Sequence, residues 1–285
     1  KELIDADILI TVNWSAKSPP APKLKLIQIP AAGYDNINFS AIPKNCNLCN
    51  VYEHEAPIAE YCLLAMLDSE IKLSKSNLKF KSGDWSDSFS SHIFRGELLG
   101  RHLGVIGFGR IGKEIIKRAK AFKMKTTAIV RNPKKYYKNN SLKAKFSSVY
   151  NLKKIIKNFD YLIIACPLTE ETRELITLGK LKNMKRSAAL INISRGSIIK
   201  EEDLYVALKK NIIREAFIDV WYNYPRSNST KNLLPSKFPI LKLDNITVSP
   251  HTSAWTKQML NRRFKIIGKN ILNLSEGKKL INQLI

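Results

Sequence analysis

The sequence predicts an α/β protein in which a doubly wound parallel sheet follows a smaller α/β region. Between residues 102 and 250, short apolar runs alternate with stretches of helical periodicity, which is typical of a parallel sheet with helices on both faces. One of these runs, at 103–106, leads directly into a Gly-x-Gly-x-x-Gly turn. Further apolar runs come earlier in the chain, and 285 residues are enough for two domains.

Three strands are predicted in the early part of the chain, at 7–12, 24–29 and 47–52. The second runs into Pro30-Ala31-Ala32-Gly33-Tyr34, where small residues leave backbone N–H groups free to hold an anion. A helix is predicted over 58–73, and Gly83-Asp84-Trp85 then breaks the pattern. The first domain is therefore predicted to cover residues 1–82.

The glycine turn indicates a dinucleotide site. Gly107 permits a tight strand-to-helix turn, Gly109 lets the backbone approach a pyrophosphate, and Gly112 lets the helix pack closely on the strand. The start of the helix then favours the phosphate charge. A chance match or a purely structural turn is the alternative. Because a second strand at 126–130 follows in register, the sequence favours a Rossmann dinucleotide-binding domain over 83–250.

Further strands of this sheet are predicted at 160–165, 188–193, 215–219 and 245–248. Ligands of open α/β sheets lie at the carboxyl ends of the strands, where Arg195 and His251 follow two of these runs. An arginine can hold a carboxylate with two hydrogen bonds, and a histidine can exchange a proton near neutral pH. Each residue alone is typical of a structural role, but together they supply an anion clamp and a proton donor. Residues 251–285 are predicted to return, as a helix, to the first domain.

Composition limits the remaining possibilities. The net charge is +24, but the lysines are spread along the chain without interleaved aromatic residues, so we expect a solvated basic surface and no nucleic-acid partner. No apolar run is long enough to span a bilayer, so no membrane association is expected. The four cysteines form no disulfide framework, and the single pair Cys46 and Cys49 has no second pair to complete a metal site. We expect a cytoplasmic protein without a metal.

Several motifs occur together and in order along nearly the whole chain. They lie at 31–37, 58–60, 99–100, 107–112, 166–172, 191–196, 218–221 and 249–251. In this arrangement the chain resembles the D-isomer-specific 2-hydroxyacid dehydrogenases, the family that includes glyoxylate/hydroxypyruvate reductases and phosphoglycerate dehydrogenases.

The resemblance implies a Rossmann domain beside a smaller flavodoxin-like substrate domain, and hydride transfer between a nicotinamide cofactor and a small 2-keto acid or D-2-hydroxy acid. Backbone amides of Ala32, Gly33 and Tyr34 would hold the substrate carboxylate. Arg195 would bind it and polarise the keto oxygen, and His251 would protonate that oxygen. The family likeness also implies a homodimer joined through the cofactor domains.

The cofactor set implied by the resemblance includes Asp219 at the nicotinamide amide and Pro167 on the adenosine side. In full, the expected set is Gly107, Gly109, Arg110, Ile111, Gly112, Arg131, Asn132, Pro167, Thr172, Ile193, Ser194 and Asp219. Members that prefer NAD carry an acid at the end of the second strand, where Val130 stands here and Arg131 follows. We therefore expect NADP(H), with Arg131 pairing the 2′-phosphate, and NAD(H) as the alternative.

Three departures from the family pattern affect these expectations. Tyr224 stands where a glutamate usually orients the histidine, which predicts a working enzyme with a lowered pH optimum for reduction. Trp255 follows the histidine motif in place of small residues and would narrow the substrate pocket. The chain also starts, without a methionine, at what resembles the second unit of the substrate domain, so either residues precede Lys1 or the domain is small.

Two other functions stay open. One is phosphoglycerate oxidation, which would use a basic pocket for the substrate phosphate. The other is a non-catalytic dinucleotide sensor of the same fold, which the missing glutamate and the basic surface favour and which Arg195 and His251 argue against.

Overall fold

Two parallel sheets, of three and seven strands, form the framework of the described residues. The computed structural model describes residues 3–138, 140–225 and 233–285. The strands are β1 (Ile8–Ile10), β2 (Leu26–Gln28), β3 (Asn47–Cys49), β4 (His102–Ile106), β5 (Lys125–Val130), β6 (Lys145–Ser148), β7 (Tyr161–Ile164), β8 (Ala189–Asn192), β9 (Glu215–Ile218) and β10 (Ile246–Val248). The α-helices are α1 (Glu55–Ile71), α2 (Leu73–Lys81), α3 (Arg110–Ala121), α4 (Lys134–Tyr137), α5 (Leu152–Ile155), α6 (Leu178–Leu181), α7 (Glu201–Lys209) and α8 (Lys257–Ser275). Single 3₁₀ turns cover Phe39–Ala41, Phe89–Ser91, Val149–Asn151, Ile156–Asn158, Gly196–Ile198 and Ile240–Lys242.

The chain forms two compact units. The smaller contains Lys1–His54 and Trp255–Ile285, and the larger contains Glu55–Ala254. Helix α1 belongs to the larger unit because its buried residues share a core with α3 and the large sheet. The domain boundaries expected at 82/83 and 250/251 thus differ from the limits of the compact units, and they remain a prediction about functional domains.

The smaller unit contains the sheet β1–β2–β3 and the helix α8. All three strands lie within the predicted runs but are shorter than predicted. A polar contact ties the helix to the sheet, because Asn270 Nδ2 donates to Gln28 Oε1 at 2.8 Å and both residues are fully buried. Burying these amides is tolerated because their remaining polar groups bond to the backbone of Ile29, Cys49 and Ile281.

The larger unit has the strand order β6–β5–β4–β7–β8–β9–β10, with every neighbouring pair parallel. The order reverses between β4 and β7, which is the topological switch point where such sheets bind ligands. Alternate residues of β7 enter different cores: Tyr161 and Ile163 pack on the side of α1 and α3, whereas Leu162 and Ile164 pack on the side of α5 to α7. Both faces are therefore covered, and the predicted doubly wound sheet is confirmed.

Two features of this unit differ from the sequence-based expectation. Strand β6 was not predicted, because Lys145-Phe146-Ser147-Ser148 is a short, polar edge strand without a clear alternation. The single helix expected over 58–73 begins earlier, at Glu55, and ends at Ile71. Lys72 then adopts a left-handed conformation (φ 54°) and α2 starts at Leu73.

No helix in the described part of the chain is both long and apolar enough to cross a membrane. The four cysteines are free and buried.

Candidate active site

The glycine turn after β4 is shaped by close contacts within the larger unit. Gly107 has φ +105°, and a Cβ there would lie 2.6 Å from the carbonyl oxygen of Ala165, just after β7. A Cβ on Gly112, in the first turn of α3, would overlap the carbonyl oxygen of Gly107. Both glycines are therefore required by the packing of strand, turn and helix.

Gly109 differs, because the protein itself does not require a glycine there. It caps α3 with φ −77°, and a Cβ at this position would meet no atom within 4 Å. The first turn of α3 contains no acidic residue, and Gly109 and Arg110 are exposed while Ile111 is half-buried. This open backbone at a helix N-terminus, with no acidic side chain in the first turn, fits a pyrophosphate that approaches closely. The residues therefore fit a dinucleotide.

At the end of β5, Val130 is buried and Arg131 is exposed. The guanidinium Nη1 of Arg131 lies 3.0 Å from Oε2 of Glu171, a residue of the turn after β7. Asn132 is also exposed, and its side-chain oxygen accepts a hydrogen bond from the backbone N–H of Lys134 at 3.1 Å. The arginine expected at a 2′-phosphate thus has a carboxylate beside it.

The turn after β7 is held by its own side chains. Thr172 Oγ1 donates to the carbonyl oxygen of Pro167 at 2.7 Å and accepts from the N–H of Thr169 at the same distance. Their hydrogen bond closes this turn at the carboxyl edge of the sheet, where Pro167 is exposed and Thr172 is half-buried.

The turn after β8 places Arg195. The buried side chain of Asn192 accepts from the N–H of Ser194 at 3.1 Å and donates to the carbonyl of Arg195 at 3.0 Å. Ser194 Oγ donates to the carbonyl of Cys166, which joins this turn to the one after β7, and Ile193 is buried beneath it. A Cβ on Gly196 would lie 2.5 Å from the carbonyl oxygen of Trp221, so this turn packs directly on the segment after β9.

Asp219 follows β9 and is fully buried. Its Oδ1 accepts from Ser249 Oγ at 2.5 Å and from the N–H of Thr252 at 2.8 Å, and its Oδ2 accepts from the N–H of Ser253 at 3.0 Å. These donors flank His251, so the carboxylate organises the turn that carries the histidine.

His251 adopts a left-handed backbone conformation (φ 62°), which is uncommon outside glycine. Its Nδ1 lies 3.0 Å from the hydroxyl oxygen of Tyr224, which also accepts from the N–H of Trp221 at 3.0 Å. His251 keeps an exposed surface, but the protein atoms around it partly desolvate the ring and lower its pKa below the usual value; the charge of Asp219 opposes this effect and that of Arg195 adds to it. Burial also raises the pKa of Tyr224, so its phenol stays protonated.

In the smaller unit, the segment after β2 is anchored through its carbonyl groups. Arg263 Nη1 donates to Pro30 O at 3.3 Å, the N–H of Val51 donates to Ala31 O at 3.1 Å, and Asn50 Nδ2 donates to Ala32 O at 2.9 Å. Gly33, Tyr34 and Trp255 are exposed, and Ala32 is half-buried.

The structure thus brings Arg195, Tyr224, Asp219 and His251 together at one edge of the large sheet. The residues expected to bind substrate, Ala32, Gly33, Tyr34 and Trp255, belong to the smaller unit. Sequence reasoning assigned no role to Asn192 or to Ser249. Asn192 could have been noticed, because it is the one polar residue of β8 and stands at the carboxyl end of that strand.

Comparison with known proteins identifies the family. The family model described as D-isomer specific 2-hydroxyacid dehydrogenase, NAD binding domain, matches residues 63–253. The glyoxylate reductase of Korarchaeum cryptofilum is 28% identical over 277 residues, which are 92% of this chain and 77% of that protein. The D-3-phosphoglycerate dehydrogenase of Methanocaldococcus jannaschii is 30% identical over 285 residues, covering 98% of this chain but only 51% of the relative, so this chain spans about half its length.

Among solved structures, a D-isomer specific 2-hydroxyacid dehydrogenase family protein from Aeromonas salmonicida superposes with a TM-score of 0.82 at 26% identity, over 99% of this chain and 86% of that one. The fold, the dinucleotide turn and the sequence match agree, and this chain therefore belongs to the D-isomer specific 2-hydroxyacid dehydrogenases, a family of NAD(P)-dependent enzymes that act on small 2-keto and 2-hydroxy acids.

Proposed function

We propose that this protein reduces a small 2-keto acid, with glyoxylate and hydroxypyruvate as the first candidates, and uses NADPH. The observation that carries the proposal is the placement of Arg195 after β8 and of His251 after β10, at the same carboxyl edge of the dinucleotide-binding sheet and close enough for the charge of Arg195 to act on the histidine. A charged clamp and a titratable proton donor beside a nicotinamide site are what carbonyl reduction requires.

In this proposal Arg195 binds the substrate carboxylate and polarises the keto oxygen, with the backbone amides of Ala32, Gly33 and Tyr34 as further carboxylate donors. The bound cofactor supplies the hydride, which adds to the keto carbon. His251 gives the proton from Nε2 to the oxygen, so that the carbonyl becomes a hydroxyl and the imidazolium becomes neutral. Trp255 narrows the substrate pocket and so favours a small side chain.

We propose the cofactor set expected from the sequence, with Asp219 at the nicotinamide amide and Pro167 on the adenosine side. The preference for NADPH rests on Arg131 and on the absence of an acid at Val130.

We also propose a homodimer joined through the cofactor domains. Large apolar side chains are exposed at the start of the predicted cofactor domain, namely Trp85, Phe89, Ile93, Phe94 and Leu99, and in α2 just before it, namely Leu73, Leu78 and Phe80. An exposed apolar surface of this kind is typical of an interface. The buried, free cysteines agree with a cytoplasmic location, which we propose as well.

Phosphoglycerate oxidation is the second candidate, favoured by the 30% identity to the Methanocaldococcus enzyme. Initial rates of NADPH and NADH oxidation with glyoxylate, hydroxypyruvate, pyruvate, phenylpyruvate and phosphohydroxypyruvate separate the two. Rapid turnover of glyoxylate or hydroxypyruvate with NADPH supports the proposal, and turnover restricted to the phosphorylated acid supports the second candidate. Tight cofactor binding without turnover of any 2-keto acid would instead favour a dinucleotide sensor.

A further inference from the structure

A chain of hydrogen bonds connects helix α1 to the carboxylate beside His251. The hydroxyl oxygen of Tyr61 lies 2.9 Å from Ser249 Oγ, and Ser249 Oγ lies 2.5 Å from Asp219 Oδ1. All of these residues belong to the larger unit.

The donor and the acceptor of each hydrogen bond follow from the chemistry of the three side chains. A carboxylate only accepts hydrogen bonds, so the single hydrogen of the Ser249 hydroxyl must go to Asp219. Ser249 can then only accept from Tyr61, whose phenol is the donor. Burial raises the pKa of Tyr61, which keeps that phenol protonated.

The turn at the end of this chain holds a strained residue. Asp219 accepts from the N–H groups of Thr252 and Ser253, the two residues directly after His251. His251 itself has φ 62°, a left-handed conformation that costs free energy in a residue with a Cβ. The two hydrogen bonds that Asp219 accepts from the N–H groups after His251 therefore help to hold this conformation.

Ser249 is fixed from two other directions as well. Its backbone N–H donates to Ile218 O at 3.0 Å, and its carbonyl accepts from Trp221 Nε1 at 2.9 Å. Because the backbone of Ser249 is held on both sides, its side chain stays between Tyr61 and Asp219 and connects the two.

We propose that Tyr61 is a positioning residue for His251, acting through Ser249 and Asp219. It touches neither substrate nor reacting atoms. Its phenol fixes the orientation of the Ser249 hydroxyl, and that hydroxyl fixes the orientation of the Asp219 carboxylate, which holds the turn. This inference deepens the proposed function and rests on the role of His251 in proton transfer.

The test compares Tyr61→Phe with Tyr161→Phe in the full chain. Tyr161 is a matched control, because its hydroxyl also ties the sheet to α1, through Glu70 near the far end of the helix, and has no link to His251. Two readouts are taken: kcat and KM for keto acid and NADPH, and the imidazole resonances in the NMR spectrum, with the His251 signal assigned from its loss in His251→Asn. Melting temperatures of both variants are measured alongside.

We expect Tyr61→Phe to lower kcat about fivefold, the effect of one net hydrogen bond. The His251 resonance should shift while those of the other three histidines stay in place. Tyr161→Phe should lower the melting temperature at least as much but leave kcat and the His251 resonance unchanged.

Ser249→Ala makes the pathway itself testable. If Tyr61 acts through Ser249, the double variant Tyr61→Phe, Ser249→Ala should have the kcat of Ser249→Ala alone. Additive losses, a wild-type His251 resonance in Tyr61→Phe, or equal losses of kcat in both tyrosine variants would each overturn the inference. If the wild-type protein turned over no keto acid, the proposed function would fail, but the His251 resonance would still decide whether Tyr61 positions the histidine.

Discussion

The hydroxyl oxygen of Tyr224 lies 3.0 Å from Nδ1 of His251 and at the same time accepts the backbone N–H of Trp221. A carboxylate in this place would only accept, and its negative charge would stabilise the imidazolium. A phenol can donate or accept, and it carries no charge, because burial keeps its pKa raised. The histidine therefore has a partner that orients its ring but adds no negative charge to stabilise its protonated form.

The first prediction concerns the pH dependence of reduction. Partial desolvation and the charge of Arg195 lower the pKa of His251, and reduction needs its protonated form. Reductive kcat/KM should therefore fall as the pH rises through a value below the usual pKa of histidine. In Tyr224→Glu an anion faces Nδ1 and raises that pKa, so the falling limb of the profile should move to higher pH.

The matched control for this experiment is Tyr224→Phe, which keeps the ring but removes the hydrogen bond. It should lower kcat without moving the falling limb upward, since no charge is added. A reductive profile in Tyr224→Glu that coincides with that of the wild-type protein would contradict the prediction.

The second prediction concerns cofactor choice. Arg131 and Glu171 form an ion pair although their side chains are 69% and 58% exposed, so the pair contributes little to stability. A 2′-phosphate would compete with Glu171 for the guanidinium. Arg131→Ala should raise KM for NADPH about tenfold and leave KM for NADH unchanged, whereas Glu171→Gln should lower KM for NADPH a few-fold.

Glu170→Gln removes an equal charge one residue away and is the control for general electrostatic attraction. If it lowers KM for NADPH as much as Glu171→Gln does, the contact with Arg131 is not the cause. Comparable efficiency with NADH and NADPH in the wild-type protein would overturn the assignment of NADPH.

The sequence predicted the large sheet well because its inner strands are continuous apolar runs, as Tyr161–Ile164 illustrates. It also located Arg195 and His251, because position at a strand end can be read along the chain. The link between Tyr61 and Ser249 could not be read in this way. The two residues are 188 positions apart, and only the packing of α1 beside the sheet brings them together.

Local conformation also escaped prediction where packing decides it. Nothing in the residue type of Lys72 indicates a left-handed conformation, yet it separates α1 from α2. The turn that carries His251 is held by hydrogen bonds to Asp219, which follows a different strand, so the histidine was identified from the sequence but its backbone geometry was not.

The third prediction separates structural from ligand-dependent glycines. Gly109→Ala should fold with an unchanged melting temperature, because its Cβ meets no atom within 4 Å, but should weaken NADPH binding at least about tenfold by obstructing the pyrophosphate. Gly107→Ala should instead destabilise the protein, since φ is +105° and its Cβ would lie 2.6 Å from Ala165 O. Gly268→Ala, in the open middle of α8, is the control and should stabilise by about 0.5–1 kcal/mol without affecting the cofactor.

These variants are compared by thermal unfolding and by fluorescence titration with NADPH. Unchanged NADPH affinity in a folded Gly109→Ala protein would show that the pyrophosphate does not approach this backbone.

The last prediction concerns assembly. Phe89 is fully exposed and Phe94 is 90% exposed, in a stretch of chain that contains further exposed apolar side chains. Exposing such rings to water is unfavourable, so we expect a second copy of the chain to bury them in a dimer interface. Sedimentation velocity should show a dimer for the wild-type protein and a monomer, or a much weaker dimer, for Phe89→Asp combined with Phe94→Asp. Tyr150→Asp, which places the same charge at another exposed aromatic residue of the larger unit, should leave the dimer intact. A monomeric wild-type protein at micromolar concentration would show that this surface serves another purpose.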